Sequence, residues 1–264
     1  MMRKLFSFIL MMGLLTFSLF VNAETSQEKG FRIAAKSDRM DNGFGTSIAR
    51  LTMTLTNSAG DSTKRELEIK TLEKPNENVG DKSVTLFFTP PDVEGTALLS
   101  HAKILDSDDQ WLYLPELARV KRISSSNKSG PFVGSEFAFE DLTAAELGKY
   151  SYEWLEEITL DGLKVDKIKQ IPLYKRSGYT YLIAYIDKDI NQFRKVEFFN
   201  RGGAHFKTLT ISEFKNYGGT IYRPMLQQID NHLTGKSTTL LVEVYKFGVE
   251  LNENEFKSSA LSQL

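Results

Sequence analysis

Period-two alternation limits what this chain can become more than any other feature. In SIARLTMTLT (residues 47–56), Ala49, Leu51, Met53 and Leu55 fall on one side and Arg50, Thr52, Thr54 and Thr56 on the other. An extended strand sorts residues this way and a helix does not. NSAGDST (57–63) reads as a turn. RELEIK (65–70) then returns with Leu67 and Ile69 on the apolar side and Glu66, Glu68 and Lys70 on the polar side, completing an antiparallel hairpin. The unit recurs. Residues 83–88 form a strand closed by Pro90-Pro91, which cannot continue a ladder. EEITLDGLKV (156–165) folds back around Asp161-Gly162. Residues 179–214 read as three strands and 220–247 as two more. The prediction is roughly ten to twelve short antiparallel strands, the pattern of a sandwich or barrel.

Helices are few. One is predicted over 28–40, a short turn in LTAAELGKY with Thr143 and Glu146 as a capping box, and another over 258–264. No repeat, low-complexity tract or linker interrupts residues 24–264, so a single domain is expected there. Residues 1–23 read as a secretory signal peptide. Arg3 and Lys4 precede an apolar run, and Val21-Asn22-Ala23 offers small residues for cleavage. The run, about 16 residues, is short for a membrane span of roughly 20. No cysteine follows to be acylated, so the expected product is an exported, non-lipidated periplasmic protein.

The absence of cysteine also excludes disulfide scaffolds and thiolate chemistry. A formal charge of −1 argues against a nucleic-acid binder. Eighteen Phe and 10 Tyr against 3 His favour apolar surfaces over proton transfer. TGKSTTLL (234–241) resembles the end of a phosphate loop, but Asp230 stands where its first glycine belongs and a β-branched strand follows. Ser125 and Lys128 match S-x-x-K but share one polar loop, SSSNKSG, with their supposed partner triplet. NGFG (42–45) lacks the third glycine of a dinucleotide fingerprint. His101, His205 and His232 are far apart in sequence, and Asp106, Asp108 and Asp109 lack calcium-loop spacing. No catalytic residue, cofactor or metal site is expected, and the chain reads as a non-enzyme.

Two neighbouring segments stand out. WLYLPELARVKRI (111–123) runs from aromatics through a proline into a basic stretch, and SGPFVGSEFAFEDL (129–142) sets Phe132, Phe137 and Phe139 among glycines and acids. So aromatic a segment either packs onto the sheet as a plug or lid or lies at a mouth. Together with GTALL (95–99), these blocks resemble the LolA-like outer-membrane lipoprotein-sorting family, in which an aspartate often stands at the position of Glu136 and a tyrosine at that of Phe139. The resemblance covers most of the chain after residue 23. It implies a mainly β fold with a few helices: a curved antiparallel sheet forming an incomplete barrel around an apolar cavity and covered by helices.

It further implies a carrier of lipid or of lipoprotein acyl chains, monomeric and touching membranes only transiently. Candidate cavity residues are Leu51, Met53, Leu55, Leu67, Ile69, Leu86, Phe88, Trp111, Tyr113, Phe137 and Phe139. Members similar to this chain are often associated with RND-type inner-membrane exporters. The alternative is therefore an accessory module that docks on such an exporter and carries nothing, with Arg119, Lys121 and Arg122 as candidate docking residues.

Overall fold

The structure, a computed structural model, describes residues 23–73, 80–143 and 146–264. Residues 1–22 of the predicted signal peptide lie outside them. The first element is helix α1, Ser26–Asp41. It starts earlier than the apolar periodicity alone indicates because Thr25 and Glu28 form a reciprocal cap. The Thr25 hydroxyl accepts from the Glu28 amide at 3.2 Å, and the Glu28 carboxylate accepts from the Thr25 amide at 2.8 Å.

Thirteen strands follow: β1 (Thr46–Thr56), β2 (Ser62–Leu72), β3 (Lys82–Thr89), β4 (Ala97–His101), β5 (Asp109–Leu114), β6 (Arg119–Arg122), β7 (Tyr150–Leu160), β8 (Leu163–Pro172), β9 (Tyr179–Asp187), β10 (Phe193–Asn200), β11 (His205–Tyr217), β12 (Ile221–Asn231) and β13 (Ser237–Phe247). They form one antiparallel sheet in the order β6-β5-β4-β3-β2-β1-β13-β12-β11-β10-β9-β8-β7. Its edges, β6 and β7, do not pair, so the barrel is incomplete.

The sheet nevertheless curls on itself. Leu112 on β5 and Tyr152 on β7, near opposite ends of the strand order, belong to the same buried cluster. Bulges at Arg50/Leu51, Trp154/Glu156 and Phe198/Phe199 add the local bend and twist that such curvature needs. At the β7–β8 turn, Asp161 and Gly162 both take positive φ (50° and 82°), as the two-residue hairpin requires.

Alternation divides the sheet into two faces. Inside, Leu51 sits between Leu67 and Val242, and Leu67 faces Phe87 on the next strand. Helix α1 closes this face beside β7. The approach is so close that a Cβ at Gly30 would come within 2.7 Å of the Trp154 backbone nitrogen. Outside, Val84, Ala97 and Leu99 are covered by the C-terminal 3-10 turns through Phe256 and Leu261. The predicted helix at 258–264 is thus a 3-10 segment, Ser258–Gln263. The predicted capping box at Thr143 does not form: its hydroxyl donates instead to the Glu140 carbonyl at 3.4 Å, and the short turn there is 3-10, Leu147–Lys149. Among the described residues no helix is long and apolar enough to cross a membrane.

Candidate functional site

The inner face is not fully packed. Three adjoining hollows of about 210, 270 and 240 Å³ run along it. The first lies against β9–β11 and is walled by Leu182, Phe193, Val196, Phe198, Leu209 and Ile211. It shares Phe193, Ile211 and Gln227 with the second, which extends to Leu51, Ile69, Leu240 and Val242. The second shares Asp41, Ile69, Arg223 and Tyr245 with the third, at the start of β1 and β3. Each is smaller than the roughly 300–1,000 Å³ typical of ligand pockets, and the wall residues common to neighbours set the three side by side as a segmented trough.

A strap formed by residues 124–143 and 146–149 crosses this face, and its composition explains its path. Phe132, Phe137 and Phe139 are buried in the main core. Phe132 stands 5.6 Å, ring to ring, from both Phe87 on β3 and Phe139 within the strap. The acids beside the rings tie the strap to the far strands and to the turn between β8 and β9. Glu136 accepts from the Asn231 amide at 2.6 Å. Glu140 accepts from the Tyr174 and Ser177 hydroxyls, each at 3.0 Å, and from the Gly178 amide at 2.8 Å. Asp141 accepts from Lys207 at 2.7 Å and from the Tyr179 hydroxyl at 2.6 Å. The Lys207 and Asp141 side chains are only 3% and 9% exposed.

Such burial leaves its mark on the titrations. Desolvation, reinforced by neighbouring Asp141, raises the Glu140 carboxyl despite its three donors. Desolvation also holds the Tyr179 phenol well above its ordinary range. On the strap's other limb, burial pushes Glu146 up to about 7, against the opposing pull of Lys149. Lys149 pairs with Asp108 at 2.5 Å, and this pair is also buried. None of these groups is arranged as a nucleophile with a base. They fasten a cover.

The predicted cavity residues divide between the two faces. Leu51, Met53, Leu67, Phe137 and Phe139 join the inner core, with Leu55 and Ile69 packed against it, and of these Leu51, Ile69 and Phe137 reach the trough wall. Leu86, Trp111 and Tyr113 lie on the outer face beneath the C-terminal turns, and Phe88 is 40% exposed. Their strands are correct, but alternate positions point the other way. Arg119, Lys121 and Arg122 sit exposed on the edge strand β6. A larger outer hollow of about 400 Å³ lies between β2, β3 and the C-terminal turns. Val84, Leu86, Ala260 and Leu264 line it together with Glu68, Asn252 and the Lys70–Glu255 ion pair (2.5 Å).

The sequence reading missed the inward charges, Lys207 and Arg223. Their signal was present: Arg223, Met225, Gln227 and Ile229 alternate in phase, so the pattern that turns Ile229 inward turns Arg223 inward too. The structure also brings together two histidines far apart in the chain. His205 and His232 lie 4.8 Å apart, ring to ring, on the outer face, and Thr208 Oγ1 is within hydrogen-bond distance of both.

Residues 80–263 match a family model described as an uncharacterized protein. No curated protein matches the chain. Among solved structures, an outer membrane lipoprotein-sorting protein domain from Vibrio parahaemolyticus is 45% identical, with a TM-score of 0.86 over 89% of this chain and 99% of that one. A DUF1329 family protein from Desulfovibrio piger, 23% identical, superposes with a TM-score of 0.85 over 90% of this chain and 99% of the other. A LolA superfamily protein from Nitrosomonas europaea, 19% identical, gives 0.68 over 89% and 98% and shares the fold.

Proposed function

Because this chain belongs to the outer membrane lipoprotein-sorting protein family, with a LolA-like fold, we propose that it is a periplasmic carrier that shelters an acyl chain in the trough beneath its strap. The observation that carries this reading is the trough itself: a row of adjoining hollows inside a half-barrel, apolar along β9–β11, where an ordinary sheet protein would be filled. In this reading residues 1–23 direct export, and residues 24–264 act as one domain.

The energetics suit carriage rather than reaction. Moving a chain of ~16 carbons from water into the trough gains about 12 kcal/mol at ~0.8 kcal/mol per CH₂. That suffices to solubilise a lipid, and release then requires an acceptor that holds the chain more tightly.

The test is native mass spectrometry of the purified chain, followed by titration of the delipidated protein with a fluorescent fatty-acyl probe. Near-stoichiometric lipid and saturable probe binding are expected. Ile211→Trp, which fills the junction of the first two hollows, should weaken the probe at least about tenfold. Delipidated protein that binds no probe would overturn the reading.

The alternative, a non-carrying module docked on an RND-type exporter, draws on the exposed basic edge formed by Arg119, Lys121 and Arg122. Charge reversal there should abolish a pull-down on inner-membrane extract, and retention of the same partner would count against it.

A further inference from the structure

The carboxylates that line the first hollow all have donors of their own. Asp108 accepts from the Lys103 amide at 2.8 Å and from the Lys149 ammonium at 2.5 Å. Glu140 accepts from its three donors at the β8–β9 turn, and Asp141 from Lys207, the Tyr179 hydroxyl and, at 2.7 Å, the Ala138 amide.

Lys128 on the strap is different. It lines the same hollow and is only 6% exposed, yet its ammonium donates to a main-chain carbonyl, that of Asp108, and forms no ion pair with a carboxylate. An ammonium carries three N–H donors, so one carbonyl leaves donors unused. Burial lowers its pKa from the usual lysine value, while the charges of Asp108 and Asp109 oppose that shift from beyond ion-pair distance. A cation in this position costs the empty protein stability that a methionine would not. Nor is the side chain on a loop free to swing it into water. The Lys128 carbonyl accepts from the Glu140 amide at 3.0 Å and the Gly130 carbonyl from the Phe139 amide at 3.2 Å, which binds this stretch to the rest of the strap. Leu182, Val196, Phe198 and Leu209 supply the apolar wall of the same hollow. Buried donors and an apolar wall in one space suit a ligand with an anionic head and a greasy tail.

Resting on the carrier reading, we propose that Lys128 is a head-group anchor: the cargo is an amphiphile with an anionic head, a carboxylate or a phosphate, whose oxygens accept the unused donors of Lys128 while its tail lies along β9–β11. The S-x-x-K match in the sequence thus contributes a lysine for binding and no serine for catalysis.

The experiment titrates the delipidated full chain with four probes of equal tail length at micromolar concentration: laurate, dodecyl phosphate, dodecyl maltoside and dodecyltrimethylammonium. A charge-assisted hydrogen bond is about twice as strong as a neutral one, so the tighter of the two anionic probes should exceed the maltoside and the ammonium by about tenfold. Which anionic probe leads distinguishes a carboxylate cargo from a phosphate one. Lys128→Met, which keeps the length of the side chain and removes its donors, should abolish that preference and leave maltoside binding unchanged. Without ligand this variant should melt no lower than wild type, because it removes a buried charge. A lower melting temperature would mean that the lysine serves the fold, and would overturn the assignment. Equal binding of all four probes, tightest binding of the neutral or cationic one, or an anionic preference that survives Lys128→Met would overturn it too and leave the carrier reading standing. Failure of every probe to bind overturns both.

Discussion

The two faces of the sheet are covered by different means. On the outer face the C-terminal turns drive Phe256 and Leu261, each 1% exposed, into Val84, Ala97 and Leu99, and the ion pair that accompanies them, Lys70–Glu255, is a quarter exposed on both sides. On the inner face the strap buries three phenylalanines but is anchored by carboxylates, above all the Lys207–Asp141 pair, and it leaves a trough beside them. An apolar seal is non-directional and fills whatever space it meets. A cover held by ion pairs and hydrogen bonds is fixed at particular points and leaves the space between them open. The contrast is between a cover seated by apolar side chains and one pinned by buried charges.

The largest effect should come from cutting the inner cover's anchor. Lys207→Met strands the Asp141 carboxylate in a buried site, at an expected cost of about 3–5 kcal/mol in urea unfolding. Hydrogen exchange over 129–142 should rise more than exchange in the outer cluster. Uniform acceleration across both faces would show that the strap is not a separately anchored unit.

The matching cut on the outer side should be smaller and purely apolar. Leu261→Ala removes a fully buried side chain from a thin layer that can partly collapse, at an expected cost of about 2–3 kcal/mol. Its effect should not depend on salt, and acyl-probe affinity should stay at the wild-type value. A change in probe affinity would mean that the two faces are coupled through the sheet.

How much of this was legible in the sequence follows the same division. The strands were readable because Leu51, Met53, Leu67 and Ile69 alternate with charged or hydroxyl residues. Which side of a strand faces the trough was not readable where both sides are apolar. LFF (86–88) offers three apolar residues in a row, and only pairing with Leu67 turns Phe87 inward and Leu86 outward. The strap's rings were legible, whereas its acids found their partners across long separations: Glu140 to Gly178 and Asp141 to Lys207. The alignment of Ser47, Thr71, Ser83 and Ser100 on adjacent strands depends on the register of four strands at once, and no local pattern carries that information.

A titration probes the strap's other limb. Glu146 is half-buried, and burial raises its carboxyl from 4.5 to about 7, with Asp81, Asp38 and Asp108 adding to the rise and Lys149 opposing it. The folded state therefore holds this proton more tightly than the unfolded state. Its stabilising contribution is complete below pH 4.5 and is lost as pH rises through about 7. The unscreened shift corresponds to about 3 kcal/mol, and solvent access reduces it to on the order of 1 kcal/mol. Glu146→Gln should thus match wild type in urea unfolding near pH 5 and exceed it by about 1 kcal/mol near pH 8. An equal difference at both pH values would remove the titration from the account.

The smallest effect is expected at the exposed side chains of the edge strand β6, whose Val120 packs against the outer cluster. Arg122 bridges to Asp109 from a side chain 65% exposed and lies 6.0 Å from the Trp111 ring centre. Exposed pairs of this kind contribute about 0–1 kcal/mol and are screened by salt. Arg122→Ala should therefore lower stability by less than about 1 kcal/mol, and by less still in high salt. A short, charged edge strand is also how sheet proteins block edge-to-edge pairing, so the basic residues of β6 have a reason to be there without any partner. A stability loss well above 1 kcal/mol would mean that Arg122 itself supports the outer seal, and any docking defect of a charge-reversed edge would then reflect damage to the fold. A loss near zero leaves the edge free to be judged by binding alone, which is the condition the exporter-docking alternative needs.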